Sequence, residues 1–163
     1  MGNKKKVIHP IDPVYDCNSE ILILGSFPSV KSRQYGFFYG HPQNRFWKVL
    51  SSVCCEALPD SIDDKKDMLL RHHIALWDVI ASCEITGSAD SSIQNAVPND
   101  IMKIIRCSKI TKIYTNGKTA DKLYRKYLEK VTGITSVCLP STSPANAAWS
   151  LERLLQKWEQ LFQ

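Results

Sequence analysis

Two short stretches of this sequence carry most of its chemistry. The first, GSFPSVKSRQYGFFYGHPQNRFW (residues 25–47), holds Phe27, Tyr35, Phe37, Phe38, Tyr39, Phe46 and Trp47, interleaved with Lys31, Arg33 and Arg45. Aromatic faces mixed with cations suit a flat heterocycle and a phosphate backbone. The plainer use of the same residues is an aromatic plug over the end of a sheet. We expect more aromatic side chains here than a core can take. The second stretch, LPSTSPANAAWS (residues 139–150), offers the hydroxyls of Ser141, Thr142 and Ser143 just ahead of a helical run. Hydroxyls and backbone N–H groups at such a place can hold a phosphate. Taken alone, the stretch also reads as an ordinary turn that caps the helix after it.

Both stretches need a frame. Ile21, Leu22, Ile23 and Leu24 form a wholly apolar run ending at Gly25, the pattern of a parallel strand covered on both faces. Ile74 to Ile80, the segment around Ile110, Ile113 and Tyr114, and Val137 to Leu139 read as three further strands. Between them lie helical patterns: Phe46, Leu50, Val53 and Cys54; a segment capped by Ser61 with Asp63 and Asp64 early and Arg71, His72 and His73 late; Ile101, Ile104 and Ile105 behind Asn99 as cap; and Leu123, Tyr127 and Leu128. Leu151, Leu154, Leu155, Trp158, Leu161 and Phe162 line a closing helix. Strands alternating with helices predict a three-layer α/β/α sandwich around a short, mostly parallel four-stranded sheet. Ligands of such sheets bind beyond the carboxyl ends of the strands, where both unusual stretches begin. Asp78, Asp90 and the pair Ser91 and Ser92 follow the second strand and could line the same place or merely cap turns.

The chain has 163 residues, 44% apolar and 23% charged, which is the composition of a soluble globular protein and excludes bulk disorder. No repeat or linker divides it, so we expect one domain over residues 1–163, with residues 1–18 as an irregular arm and Lys4, Lys5 and Lys6 as its basic part. No apolar run reaches transmembrane length. The start MGNKKKVIHP has basic residues without an apolar stretch behind them, and Lys6 breaks the myristoylation pattern at Gly2, so a cytoplasmic location is expected. Six cysteines without a C-x-x-C pair read as small buried apolar residues, and no metal or other cofactor is expected. The net charge of +5 permits a polyanionic partner without requiring one.

GSFPS, GHPQNRFW and STSPANA, in that order, resemble the motifs of the uracil-DNA glycosylase superfamily over about Ile21 to Leu161. HPQNRFWKVL resembles the corresponding segment of the mismatch-specific branch, and ITKIYTNGKTA resembles, weakly, the strand and turn before its last strand. In that branch the first motif reads G-x-N-P-G and its Asn positions the attacking water. Phe27 stands there in this chain, and a phenyl ring cannot hold a water. The combination therefore looks like the hypoxanthine-DNA glycosylase branch, in which the Asn of the N-x-F-W segment, Asn44 here, supplies the catalytic amide.

The resemblance implies a monofunctional glycosylase that flips a deaminated base out of double-stranded or mispaired DNA and leaves an abasic site. Asn44 would hold the water through its side-chain oxygen, although an Asn at this place also suits a helix N-cap. Tyr39 would stack on the base or serve as core or lid, Phe27 would form an apolar wall, and Gly25 and Ser26 would line the base pocket. His41 would donate to the base or to a phosphate, or simply belong to its turn. Ser143 would grip the backbone, with Pro144, Ala145 and Asn146 entering the space left by the flipped nucleotide, and Lys31, Arg33 and Arg45 meeting phosphates. No lysine suggests a Schiff base. A monomer with no membrane partner is expected. A glycosylase of broader specificity for uracil, xanthine or mispairs, a non-catalytic binder of damaged DNA, and a flavodoxin-like phosphate binder with a buried aromatic loop are the alternatives.

Overall fold

The computed structural model describes residues 4–163. Its strands, in chain order, are β1 (Lys5–Ile8), β2 (Ile21–Gly25), β3 (Ile74–Asp78), β4 (Ile80–Ile85), β5 (Gln94–Pro98), β6 (Lys112–Asn116) and β7 (Ser136–Leu139). The helices are α1 (Val30–Tyr35), α2 (Phe46–Val53), α3 (Ile62–Arg71), α4 (Ile101–Arg106), α5 (Lys118–Tyr127), α6 (Glu129–Thr132) and α7 (Leu151–Trp158). Four strands form a wholly parallel sheet in the order β3-β2-β6-β7. This is the expected central sheet.

The run ILILG of β2 explains why the sheet sits between two layers. Ile21 and Ile23 point into a cluster with Phe46, Leu50, Leu69, Leu154 and Trp158, from α2, α3 and α7. Leu22 and Leu24 point the other way, among Ile104, Ile113 and Tyr124, on the side of α4 and α5. Each fully buried Leu or Ile contributes about 1.5–3 kcal/mol, so a one-residue slip of β2 has no face that water could accept. The helix ends follow sequence rules where the signals are local. Ser61 and Asp64 form a reciprocal capping box at α3, Asp63 and Asp64 lie in its first turn and Arg71 in its last, and the Ser150 hydroxyl caps α7.

Several expectations need correction. The segment read as one strand from Ile74 to Ile80 breaks at Val79; β4 continues it into a second, antiparallel sheet ordered β1-β4-β5. That sheet packs through Cys83 and Ile85 onto the same face as α4 and α5, so this outer layer is not purely helical. The N-terminal arm is in part a strand. Lys5 to Ile8 pair with Ile85 to Ser82, and Val14 bridges to Leu76. Lys4 is exposed, and Gly2 lies outside the described residues. Asn99 does not cap α4, since Asp100 holds the cap position and the buried Asn99 side chain donates to the Asp78 backbone carbonyl at 2.9 Å. Cys54 and Cys83 are buried, but Cys17, Cys55, Cys107 and Cys138 are exposed.

Candidate active site

The strands β2, β3 and β6 all end at one place. Gly25 pairs with Asp78, Leu24 with Thr115, and Asn116 with Leu139. Beyond these ends opens a cavity of about 330 Å³, walled by Ser26, Phe27, Phe38, Tyr39, His41 and Asn44 from the first loop. Asp78 and Asn116 come from the strand ends, Ser88 and Asp90 from the β4–β5 connection, and Ser141 to Ala145 from the last loop. The two stretches singled out by composition therefore meet at the carboxyl end of the parallel sheet.

The first loop is more buried than its composition led us to expect. Phe27, Phe37, Phe38, Phe46 and Trp47 are all buried, and only Tyr35 is well exposed. Trp47 stacks on Phe37, Phe46 meets Trp158 edge to face, and the Trp47 indole donates to the Phe38 carbonyl at 3.0 Å. The loop is an aromatic plug that also forms one wall of the cavity. Helix α1 interrupts it, capped by Ser29 and ended by Gly36 at φ +83°. Tyr39 follows at φ +54°, a left-handed conformation that a non-glycine residue holds only when its surroundings impose it. Its ring stacks on Phe46 with 4.1 Å between centroids.

Asn44 lies at the head of α2. Its Oδ1 accepts the Phe46 N–H at 2.9 Å and the Thr142 hydroxyl at 2.9 Å. The backbone donor fixes which end of the amide is oxygen. Thr142, fully buried, is held in turn: Asn116 Nδ2 donates to its Oγ1 at 3.0 Å, and its own N–H donates to Asn116 Oδ1 at 3.0 Å. Both lone pairs of the Asn44 oxygen are thus taken by protein donors, and the expectation that this oxygen holds a water is corrected. The amide nitrogen remains to serve the cavity.

His41 Nδ1 accepts the Gln43 N–H at 3.1 Å, which leaves Nε2 as the ring's other hydrogen-bonding atom. The Ser26 hydroxyl donates to Asp90 Oδ1 at 2.9 Å. The Asp90 carboxyl is pushed above the usual carboxylate range by lost hydration in the cleft; Ser26 opposes the shift and Asp78 adds to it. The Tyr39 phenol is raised far above its ordinary value, chiefly by burial and then by Asp78, so it keeps its proton. Below these groups, His9 Nε2 meets Asp78 Oδ2 at 2.7 Å, with the two side chains 3% and 5% exposed.

Ser143 accepts the Ala145 N–H on its hydroxyl at 3.1 Å, and Asn146 Nδ2 turns inward to the Ser141 carbonyl at 2.9 Å. Pro144 and Ala145 border the cavity, whereas Asn146 borders a neighbouring cleft with Lys118 and Lys157. Arg45 is largely spent inside the protein, donating to the carbonyls of Ser143, Asn146 and Trp149, so it braces the last loop. Arg33 lies over the Phe27 ring and donates to the Gly87 carbonyl at 3.1 Å. Arg45 is thus not free to face a phosphate as expected, whereas Arg33 Nη1 has no hydrogen-bond partner among the described residues and Lys31 is exposed on α1. Ser91 and Ser92 are outside the cavity wall, and the Ser92 hydroxyl accepts the Thr86 N–H within the β4–β5 connection. Sequence reasoning missed His9 and Asn116 and gave Thr142 no role beyond its hydroxyl. The Asn-Gly at the end of β6 marked a strand end, the one signal that pointed toward Asn116.

A parallel sheet with two polar loops closing over its carboxyl end, one aromatic and one rich in Ser and Thr, defines the class. The chain belongs to the uracil DNA glycosylase superfamily, whose model matches residues 13–162, and is thus a hydrolase acting on N-glycosyl bonds of DNA. Within it, the chain is 38% identical to the hypoxanthine DNA glycosylase of Methanosarcina acetivorans, over 91% of this chain and 94% of that protein. It is 35% identical to the enzyme of the same name from Methanosarcina barkeri, over 92% and 94%. A candidate uracil DNA glycosylase of Methanosarcina acetivorans, solved by NMR in solution, superposes with a TM-score of 0.81 at 34% identity, covering 96% of this chain and 97% of that one. These similarities remove the flavodoxin-like alternative, although the aromatic loop is buried. No helix among the described residues is long and apolar enough to cross a membrane.

Proposed function

We propose that the protein releases hypoxanthine from deoxyinosine in DNA as a monofunctional, monomeric glycosylase and leaves an abasic site. The observation that carries this reading is the Asn44 amide, locked by Phe46 and Thr142 at the edge of a cavity whose first-motif position is the phenyl ring of Phe27. The similarity to two hypoxanthine DNA glycosylases supports the choice of base.

In the reaction the C1′–N9 bond breaks with its electron pair going to the base, and a water oxygen bonds to the oxocarbenium-like C1′ while its proton leaves to solvent. Such a cation is reactive enough that the water needs position more than activation. Asn44 supplies position: its Nδ2 donates to one lone pair of the water and leaves the other for C1′. The extruded base enters beside Phe27 and Tyr39, and His41 Nε2 donates to the departing anion or to a flanking phosphate. Ser143 holds the backbone. Pro144 and Ala145, which border the cavity, are small for a wedge, which favours poorly paired lesions such as hypoxanthine opposite thymine.

The test follows free base from duplexes carrying hypoxanthine or uracil under single-turnover conditions, with Asn44→Ala beside the wild type. Hypoxanthine release that falls about 100-fold in the variant is expected. Unchanged release removes Asn44 from the mechanism, strand scission without alkali or heat removes the monofunctional assignment, and equal rates opposite thymine and cytosine remove the preference for mispairs.

A further inference from the structure

Gly25 closes β2 at the floor of the cavity, and two side chains crowd the hydrogen that points inward from its α-carbon. A β-carbon built there would lie 2.4 Å from Asp78 Oδ1 and 2.8 Å from Tyr39 Oη. One is an acceptor and the other a donor. Among the described residues the buried Tyr39 hydroxyl makes no hydrogen bond of good geometry, although Asn116 lies near enough to oppose the rise in its pKa. Asp78 bonds through Oδ2, which faces His9, and among the described residues its Oδ1 makes no hydrogen bond.

Both atoms are held from behind. Tyr39 is fixed by its left-handed backbone and by the stack on Phe46. Asp78 is fixed by His9, whose Nδ1 accepts the Ile11 N–H at 3.2 Å, so that the proton of the Asp78 contact resides on Nε2. The imidazole is wedged edge-on against Phe27 and Trp77, and the chain at His9 is tied to β4 by its N–H to the Ala81 carbonyl at 2.7 Å.

We propose that Tyr39 Oη–H and Asp78 Oδ1 form a donor–acceptor pair that reads the lactam edge of the flipped base, with His9 as the residue that positions Asp78. This rests on the glycosylase reading above. A lactam presents a carbonyl oxygen beside an N–H: O6 and N1–H in hypoxanthine. The oxygen accepts from Tyr39 and the N–H donates to Asp78. Adenine presents an amino group at C6 and a lone pair at N1: the Tyr39 hydroxyl can turn and accept from the amino group, but the N1 lone pair meets Asp78 Oδ1, so that contact becomes repulsive and a buried acceptor stays unpaired. The pair thus separates a deaminated purine from its parent. Gly25 is required because any side chain there would fill the space between the two atoms.

The experiment measures single-turnover release of hypoxanthine and, separately, affinity for a duplex with a stable abasic-site analogue, which has no base to read. Tyr39→Phe keeps the ring stack and loses the donor, and is expected to slow release about 10-fold. Asp78→Asn removes the charged acceptor and is expected to slow release about 10- to 100-fold and to bring inhibition by free adenine closer to that by free hypoxanthine. Both variants should bind the abasic duplex as the wild type does. His9→Gln keeps a donor at the place of Nε2 and should recover most of the release lost in His9→Leu. Release within twofold of wild type in Tyr39→Phe or Asp78→Asn, or release and abasic binding falling together, overturns the pair. Equal losses in His9→Gln and His9→Leu overturn the role of His9. A wild type that releases no hypoxanthine refutes the underlying reading instead.

Discussion

The hydroxyl of Thr142 links the last loop to the Asn44 amide, and its removal tests the mechanism without touching a group that meets the DNA. Thr142→Val keeps the shape of a fully buried side chain but deletes two hydrogen bonds, the one given to Asn44 Oδ1 and the one accepted from Asn116 Nδ2. At about 0.5–1.5 kcal/mol net for each bond, the loss is about 1–3 kcal/mol. For a chain of this size that lowers the melting temperature by roughly 2–4 °C per kcal/mol, or about 4–8 °C for the middle of the range. The effect on chemistry is separate. With only the Phe46 N–H left on its oxygen, the Asn44 amide can swing, and a misplacement of about 1 Å costs on the order of 100-fold in rate. Thr142→Ser retains the hydroxyl and should keep most of the activity. Melting curves and single-turnover release from a hypoxanthine duplex measure the two effects. If Thr142→Val releases base within threefold of wild type, or if the Ser and Val variants are equally slow, the hydroxyl does not hold the catalytic amide.

Other consequences follow from the same geometry. Gly25→Ala places a methyl 2.4 Å from Asp78 Oδ1 and should abolish hypoxanthine release while the protein stays folded by circular dichroism; retained release would show that the floor can yield. Arg45→Met should speed hydrogen exchange over residues 143–149 and leave the salt dependence of duplex binding unchanged, since the guanidinium serves carbonyls. A slope of log affinity against log salt that becomes shallower by about 0.9 would mean that Arg45 meets a phosphate after all. The Asp90 carboxyl is raised, so the native state keeps its proton to higher pH than the unfolded chain does. That group therefore favours folding most in acid and gives up part of this as pH rises from the ordinary Asp value through the raised one. Asp90→Asn should accordingly gain melting temperature relative to wild type at pH 7 and lose the gain near pH 4; a pH-independent difference counts against the shift.

The parts of the fold that were legible in the sequence are those whose signal is local and complete. The run Ile21 to Leu24 could only be a strand covered on both faces, and Ser61 with Asp64 could hardly be other than a helix start. Strands β1 and β5, KKVI and QNAVP, were illegible because they lie in a partly exposed sheet where polar residues carry no penalty, and only pairing with β4 makes them strands. The aromatic loop misled for the opposite reason. Its burial depends on remote partners: Trp158 meets Phe46 from more than a hundred residues away, and a loop between a strand and a helix gives no hint of that partner. Asn44, Tyr39 and Phe27 were reached by resemblance, and the cavity does assemble them. His9 was unreachable: its contact with Asp78 spans 69 residues, and a lone His before a Pro carries no functional signal.

What sequence could not show is that several of the cavity's polar groups are fixed by remote partners, while the cost of fixing them is local. Asp78 depends on His9, Asn44 on Thr142, Ser26 on Asp90, and the last loop on Arg45. Against these stand a left-handed backbone at Tyr39 and a buried phenol that makes no hydrogen bond of good geometry among the described residues. The strained backbone costs on the order of 1–3 kcal/mol, and the unpaired hydroxyl about as much again. A fold with marginal stability does not retain such features by packing alone, because Phe in place of Tyr39 would fill the same space without the unpaired group. A base that accepts from the phenol and donates to Asp78 would satisfy both atoms at once, and its binding energy would include that gain.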